Sequence, residues 1–217
     1  MLVAAGLMSY TGPVDAGPAS PTPTIVAASP SPTARPTPRP TPSFPPSVEP
    51  SESPSPTFPE GRLATRVVIP ALTIDMPVIT PPGGPDTYPA CDVAMYIKEL
   101  GQPGQGWATY LYAHAREGMF LPILEESRID NGAGMIGLLV QVYTSDDQLF
   151  LYEITEVRRN QTTLDDAVAA TSEELWLQTS EGPRGTPGKT QVIARPLSSG
   201  PADPAEAHPT ANPTVCA

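Results

Sequence analysis

Positive charge is scarce in this chain: Lys and Arg together number 12 against 23 Asp and Glu, giving a formal net charge of −11 and an isoelectric point near 4.5. No Lys/Arg cluster occurs anywhere, which argues against a surface that tracks nucleic-acid phosphates. There are two lysines, Lys98 and Lys189, and two histidines, His114 and His208. The two cysteines, Cys91 and Cys216, lack the close spacing of a metal knuckle or a redox pair, so no metal or other cofactor is expected. They are compatible with an extracellular setting. Cys91 reads as a buried structural cysteine, because nothing in residues 198–217 suggests the close approach that a bridge to Cys216 would demand.

Long apolar runs are also missing. Residues 1–11 begin with Met-Leu-Val-Ala-Ala-Gly-Leu-Met, well short of the roughly 20 residues of a membrane span. They read as a truncated membrane anchor. What the chain has in excess is proline, 31 residues in 217, and so many cannot be spread through one packed core. They concentrate in residues 12–61, where Pro-Thr-Pro and Ser-Pro-Ser-Pro repeats bury too little apolar surface to offset their ordering entropy. That segment is expected to be a disordered stalk. At about 3.1 Å per residue in polyproline II, its extended reach is roughly 140 Å, enough to lift a domain away from a membrane.

The globular region, 62–197, reads as mainly β. Arg66–Pro70 and Met76–Ile79 are short β-branched runs that read as strands, and Trp107–Ala113 reads as a third strand. Met119–Glu126 carries apolar residues at helical spacing with Pro122 near its start, which predicts one short helix. Residues 136–144 and 149–157 flank Ser145-Asp146-Asp147 and predict a hairpin. Leu175–Thr179 and Thr190–Arg195 complete the strands. Many short strands with one or two helices indicate a closed or nearly closed barrel. Trp107 and Trp176 are expected in the core, and residues 198–217 as a disordered tail.

Two runs end on a side chain with chemical potential: Tyr110-Leu111-Tyr112-Ala113-His114 and Leu175-Trp176-Leu177-Gln178-Thr179-Ser180. A strand end is a rigid mounting for such a group. The order of motifs resembles the sortases, cell-wall transpeptidases of Gram-positive-type bacteria. The resemblance rests on Arg66–Pro70 as an Arg-x-x-Ile-Pro strand and on the turn Pro103-Gly104-Gln105-Gly106-Trp107. It rests also on the histidine strand followed by Gly118-Met119-Phe120-Leu121-Pro122, on Leu177-Gln178-Thr179-Ser180 where sortases have Leu-x-Thr-Cys, and on the last strand, Lys189–Ala194.

The resemblance implies an eight-stranded β-barrel on the extracellular face of the membrane or in the wall. It implies a reaction in which a cysteine thiolate cuts a sorting-signal peptide of a surface protein and passes it to an amine of the wall or a pilin. It assigns His114 as acid/base and Thr179 to substrate binding. Ser180 stands where the nucleophilic cysteine would be, and Lys189 where the oxyanion-stabilising arginine would be, with Arg195 and Arg184 as alternatives for the arginine role. A serine hydroxyl stays protonated where a thiol is partly ionised, and an ammonium lacks the planar fork of a guanidinium. The expectation is therefore a weak or inactive transpeptidase, or a catalytically dead peptide-binding module of the same fold.

Overall fold

The computed structural model describes residues 59–83 and 89–216; the expected anchor and nearly all of the expected stalk lie outside them. Eight strands close into a barrel in the order β1-β2-β3-β4-β7-β8-β6-β5. They are β1 Ala64–Ile69, β2 Ile74–Ile79, β3 Ala94–Tyr96, β4 Ala108–Tyr112, β5 Leu139–Thr144, β6 Gln148–Gln161, β7 Glu174–Ser180 and β8 Lys189–Pro201. The pairs β2–β3 and β4–β7 are parallel, and the remaining neighbours are antiparallel.

Alternation along each strand decides what fills the barrel. Leu175 and Leu177 of β7, Leu111 of β4, and Val192 and Ala194 of β8 point into the main core with Val67, Ile69, Val140, Val142 and Ile154. On the outer face, Tyr110, Trp176 and Ile193 form a second buried cluster with Ala108 and Ala167. Helix α1, Leu121–Arg128, carries Pro122 in its first turn, where a missing N–H costs nothing, and buries Ile123 and Leu124. The short α2, Asp165–Val168, lies in the β6–β7 connection. Three register shifts in β6 bend that long strand, as barrel closure requires. Among the described residues no helix is long and apolar enough to cross a membrane.

Two expectations are corrected here. Residues 198–216 are not a loose tail. β8 continues through Pro201, pairing Pro196 with Tyr152 and Pro201 with Gln148, beyond the point where β7 pairs with it. One side of this extension has no strand partner, which is where proline is tolerated. A short helix α3, Pro204–Ala207, follows, capped by the Asp203 side chain, and His208 meets Asp147 at 2.8 Å. The chain then returns to Cys91, with which Thr214 forms a two-way backbone bridge, and Cys216 makes a disulfide with Cys91. The second correction concerns Trp107, which is 55% exposed. It lies over Gly101, where a Cβ would come within 2.1 Å of its ring. Trp176 is buried as expected.

Candidate functional site

β4 and β7 run side by side in parallel, Tyr112 opposite Gln178. Beyond that pair, Ala113 N–H donates to the Gln178 carbonyl at 3.1 Å and the Thr179 hydroxyl donates to the Ala113 carbonyl at 3.0 Å. Ser180 and His114 each follow directly on this junction, so the backbone brings the two ends together. Thr179, expected to bind substrate, is 1% exposed and faces the interior. Its hydroxyl fastens β7 to β4.

Ser180 is the last residue of β7 and pairs with Lys189, the first of β8. Both side chains emerge on the outer face, in line with Gln178 and Gln191. Lys189 Nζ donates to Ser180 Oγ at 3.2 Å. Beneath them Tyr110 O–H donates to Gln178 Oε1 at 2.7 Å and accepts from Gln191 Nε2 at 3.0 Å. Burial pushes the Tyr110 hydroxyl well above the ordinary phenol range, so it remains a neutral donor that stiffens the floor.

The turn after Ser180 is held by Glu181. Its carboxylate accepts from Asn160 N–H and Thr190 O–H and pairs with Arg159. Arg128, at the end of α1, donates to its carbonyl at 2.9 Å. Burial works to raise the Glu181 carboxyl, but Arg159, the Asn160 amide and the Thr190 hydroxyl outweigh it and leave the group below its usual range. Of the alternatives to Lys189, Arg195 pairs with Glu174 at 2.6 Å at the opposite end of β7 from Ser180, and is too far along the strand to serve. Arg184 is an exposed residue of the β7–β8 connection.

His114 is 8% exposed, and its Nε2 lies 2.9 Å from the Pro89 carbonyl. Among the described residues no hydrogen bond joins it to Ser180. Instead, a ring nitrogen lies within 4.8 Å of both sulfurs of the Cys91–Cys216 disulfide. Arg116 Nη1 lies 3.0 Å from Cys91 Sγ. A nitrogen and two sulfurs could suit a soft cation, but here the sulfurs are bonded to each other and a guanidinium stands against one of them. Sequence reading missed this cluster because its members are up to 125 residues apart. The one available signal was that the chain holds two cysteines, an even number.

No protein-family model matches the sequence, and no curated protein matches it. Among solved structures the barrel is similar to sortase A of Listeria monocytogenes, with a TM-score of 0.52 over 65% of this chain and 91% of that one, at 15% identity. The barrel has the sortase fold. Weaker similarity extends to sortase C2 of Group B Streptococcus pilus island 1, with a TM-score of 0.48, 15% identity and coverage of 61% and 73%. Sortase C-1 from Streptococcus pneumoniae gives a TM-score of 0.48 at 16% identity, with coverage of 62% and 66%. At such identities the likeness is one of fold. On the sortase fold, Ser180, Lys189 and His114 all lie where β4, β7 and β8 meet.

Proposed function

We propose that this chain is a sortase-fold module of the cell surface that binds an extended sorting-type peptide over the ends of β4 and β7, beside the half-buried Tyr112, Gln178 and Ser180, and turns it over weakly or not at all. The observation that carries this is the partner of Ser180: a lysine amine donating to Oγ at 3.2 Å, with the His114 Nε2 engaged at Pro89. A serine needs a base that removes its proton as it attacks, with an orienting partner behind that base. Neither His114 Nε2 nor an ammonium, which has three donors and no acceptor, fills that place. An amine acceptor from the wall or a pilin would be the second partner only if an acyl-enzyme formed.

The test is binding against turnover. Fluorescently labelled sorting-type peptides are titrated into the full chain, then incubated with an amine and examined by intact mass. Binding without acyl-enzyme is the expected result; absence of binding to every peptide, or robust turnover, would overturn the proposal.

A further inference from the structure

The surroundings of the two disulfide sulfurs are unequal. Cys91 is 5% exposed and its Sγ faces the Arg116 guanidinium at 3.0 Å. Cys216, near the chain end and more open to solvent, has its Sγ 3.6 Å from the Pro89 carbonyl oxygen. A cation beside one sulfur stabilises a thiolate there, while a carbonyl lone pair beside the other opposes one. The accessible sulfur is the natural point of attack, and the sulfur beside the guanidinium is the better leaving group. Cys91 borders an open cleft of about 370 Å³, lined also by Asp92, Arg116, Glu117, Met119, Thr214 and Val215.

We propose that Cys91–Cys216 is a reactive thiol–disulfide exchange site, with Cys91 as the thiolate-forming residue and dithiols as its substrate class. The thiolate of a dithiol attacks Cys216 Sγ. The Sγ–Sγ bond breaks and its electron pair goes to Cys91, whose thiolate is held by Arg116. The second thiol of the dithiol then displaces Cys216, which takes up a proton. The dithiol is oxidised to a disulfide and the protein gains two electrons. Among the described residues, four charged or titratable groups surround Cys91. Arg116 and His114 favour its thiolate, the latter when protonated, whereas Asp92 and Glu117 oppose it. Arg116 stands at 3.0 Å from Cys91 Sγ, and Asp92 accepts from the Thr214 hydroxyl at 2.7 Å. Loss of the bridge would leave the 214–216 segment held at Cys91 by the Thr214 contacts alone. The guanidinium at 3.0 Å also decides against a metal centre, since it would repel a divalent ion bound to the same sulfur.

Two measurements on the full chain test this. In the first, a small monothiol is added together with iodoacetamide and the products are mapped by peptide mass. The expected species carries the monothiol on Cys216 and the alkyl group on Cys91; the reverse pattern, or an even mixture, would overturn the proposal. In the second, Cys216→Ser isolates Cys91, and its alkylation rate is followed against pH. The midpoint should lie about one unit or more below the roughly 8.5 of a free cysteine. Adding Arg116→Gln should move it up by about a unit, whereas Arg116→Lys should keep it low. A midpoint at or above the free-cysteine value, or one indifferent to Arg116→Gln in a folded variant, would defeat the assignment. Should Arg116→Gln fail to fold, the Cys216→Ser profile and the product map still decide. Stoichiometric zinc should not protect the dithiothreitol-reduced chain from alkylation; protection of both cysteines would replace the exchange site with a metal site.

Discussion

At the scale of single residues, the contrast between Ser180 and a thiol is a matter of which atom can carry negative charge near neutral pH. Ser180→Cys would place Sγ beside the Lys189 amine, an environment that lowers a thiol's pKa. We expect this variant to gain acyl-enzyme formation with sorting-type peptides, more than any other single substitution, as read by intact mass. Lys189→Arg added to it should help further, since one oxyanion donor is typically worth about 2.7–4 kcal/mol. A silent Ser180→Cys variant that still binds peptide would show that the cleft no longer presents the scissile carbonyl. Thr179 makes a different prediction. Thr179→Val leaves the buried Ala113 carbonyl without its side-chain donor and should lower stability by about 1–3 kcal/mol in urea unfolding. Peptide affinity should change little if the peptide lies over the strand ends beside Ser180.

At the scale of elements, one ion pair ties the start of the barrel to its clearest hairpin. Arg62 meets Asp146 through Nε and Nη2, reaches the Pro103 carbonyl at 3.2 Å and lies over the Phe150 ring. Arg62 holds the Asp146 carboxyl below the usual range, helped by the Thr144 hydroxyl and against some desolvation. Because the folded value is depressed, this stability is fully present above the unfolded carboxylate value and is lost as pH falls through the folded one. Asp146→Asn should therefore destabilise by about 1–2 kcal/mol near pH 7, and the difference from the parent should shrink as pH falls below the unfolded carboxylate value and through the folded one. A gap that persists in acid would mean that the loss is steric and not ionic.

The hairpin, helix α1 and seven of the eight strands were legible in the chain because β-branched runs and helical spacing report local periodicity. β3 was not: three residues, Ala94–Tyr96, are too few to show a period. The continuation of β8 was hidden because Pro196 and Pro201 read as strand breakers, and only the lack of a second neighbour explains them. In the site, Ser180 and Lys189 were singled out by the sortase resemblance of the runs around them, and strand pairing places their side chains in contact. The inward sense of Thr179 was not legible, because the inward or outward sense of a strand's last residues depends on register. The partner of His114 Nε2 lies 25 residues earlier, which no local pattern can report.

At the scale of the whole molecule, the disulfide encloses β3 through β8, joining cysteines 125 positions apart in sequence. By chain entropy a loop of that length restricts the unfolded state by about 5 kcal/mol. Replacing both cysteines with serine should lower the melting temperature by about 10–20 °C for a domain of this size. Calorimetry with and without a dithiol reductant checks this, and an unchanged transition would mean that the bridge closes a contact already held by the Thr214 pairing and α3.

The same closure has a mechanical side. β1 and β2 lie before Cys91 in the chain, whereas every later strand lies inside the covalent ring. A force pulling on residue 62 against residue 216 can therefore extend only the chain from 62 to 91, about 100 Å of contour. With the bridge opened, the same pull would pay out roughly 500 Å. An intact barrel would act as a short tether that yields two strands and then stops, and the state of one sulfur pair would set how far a load could draw it out.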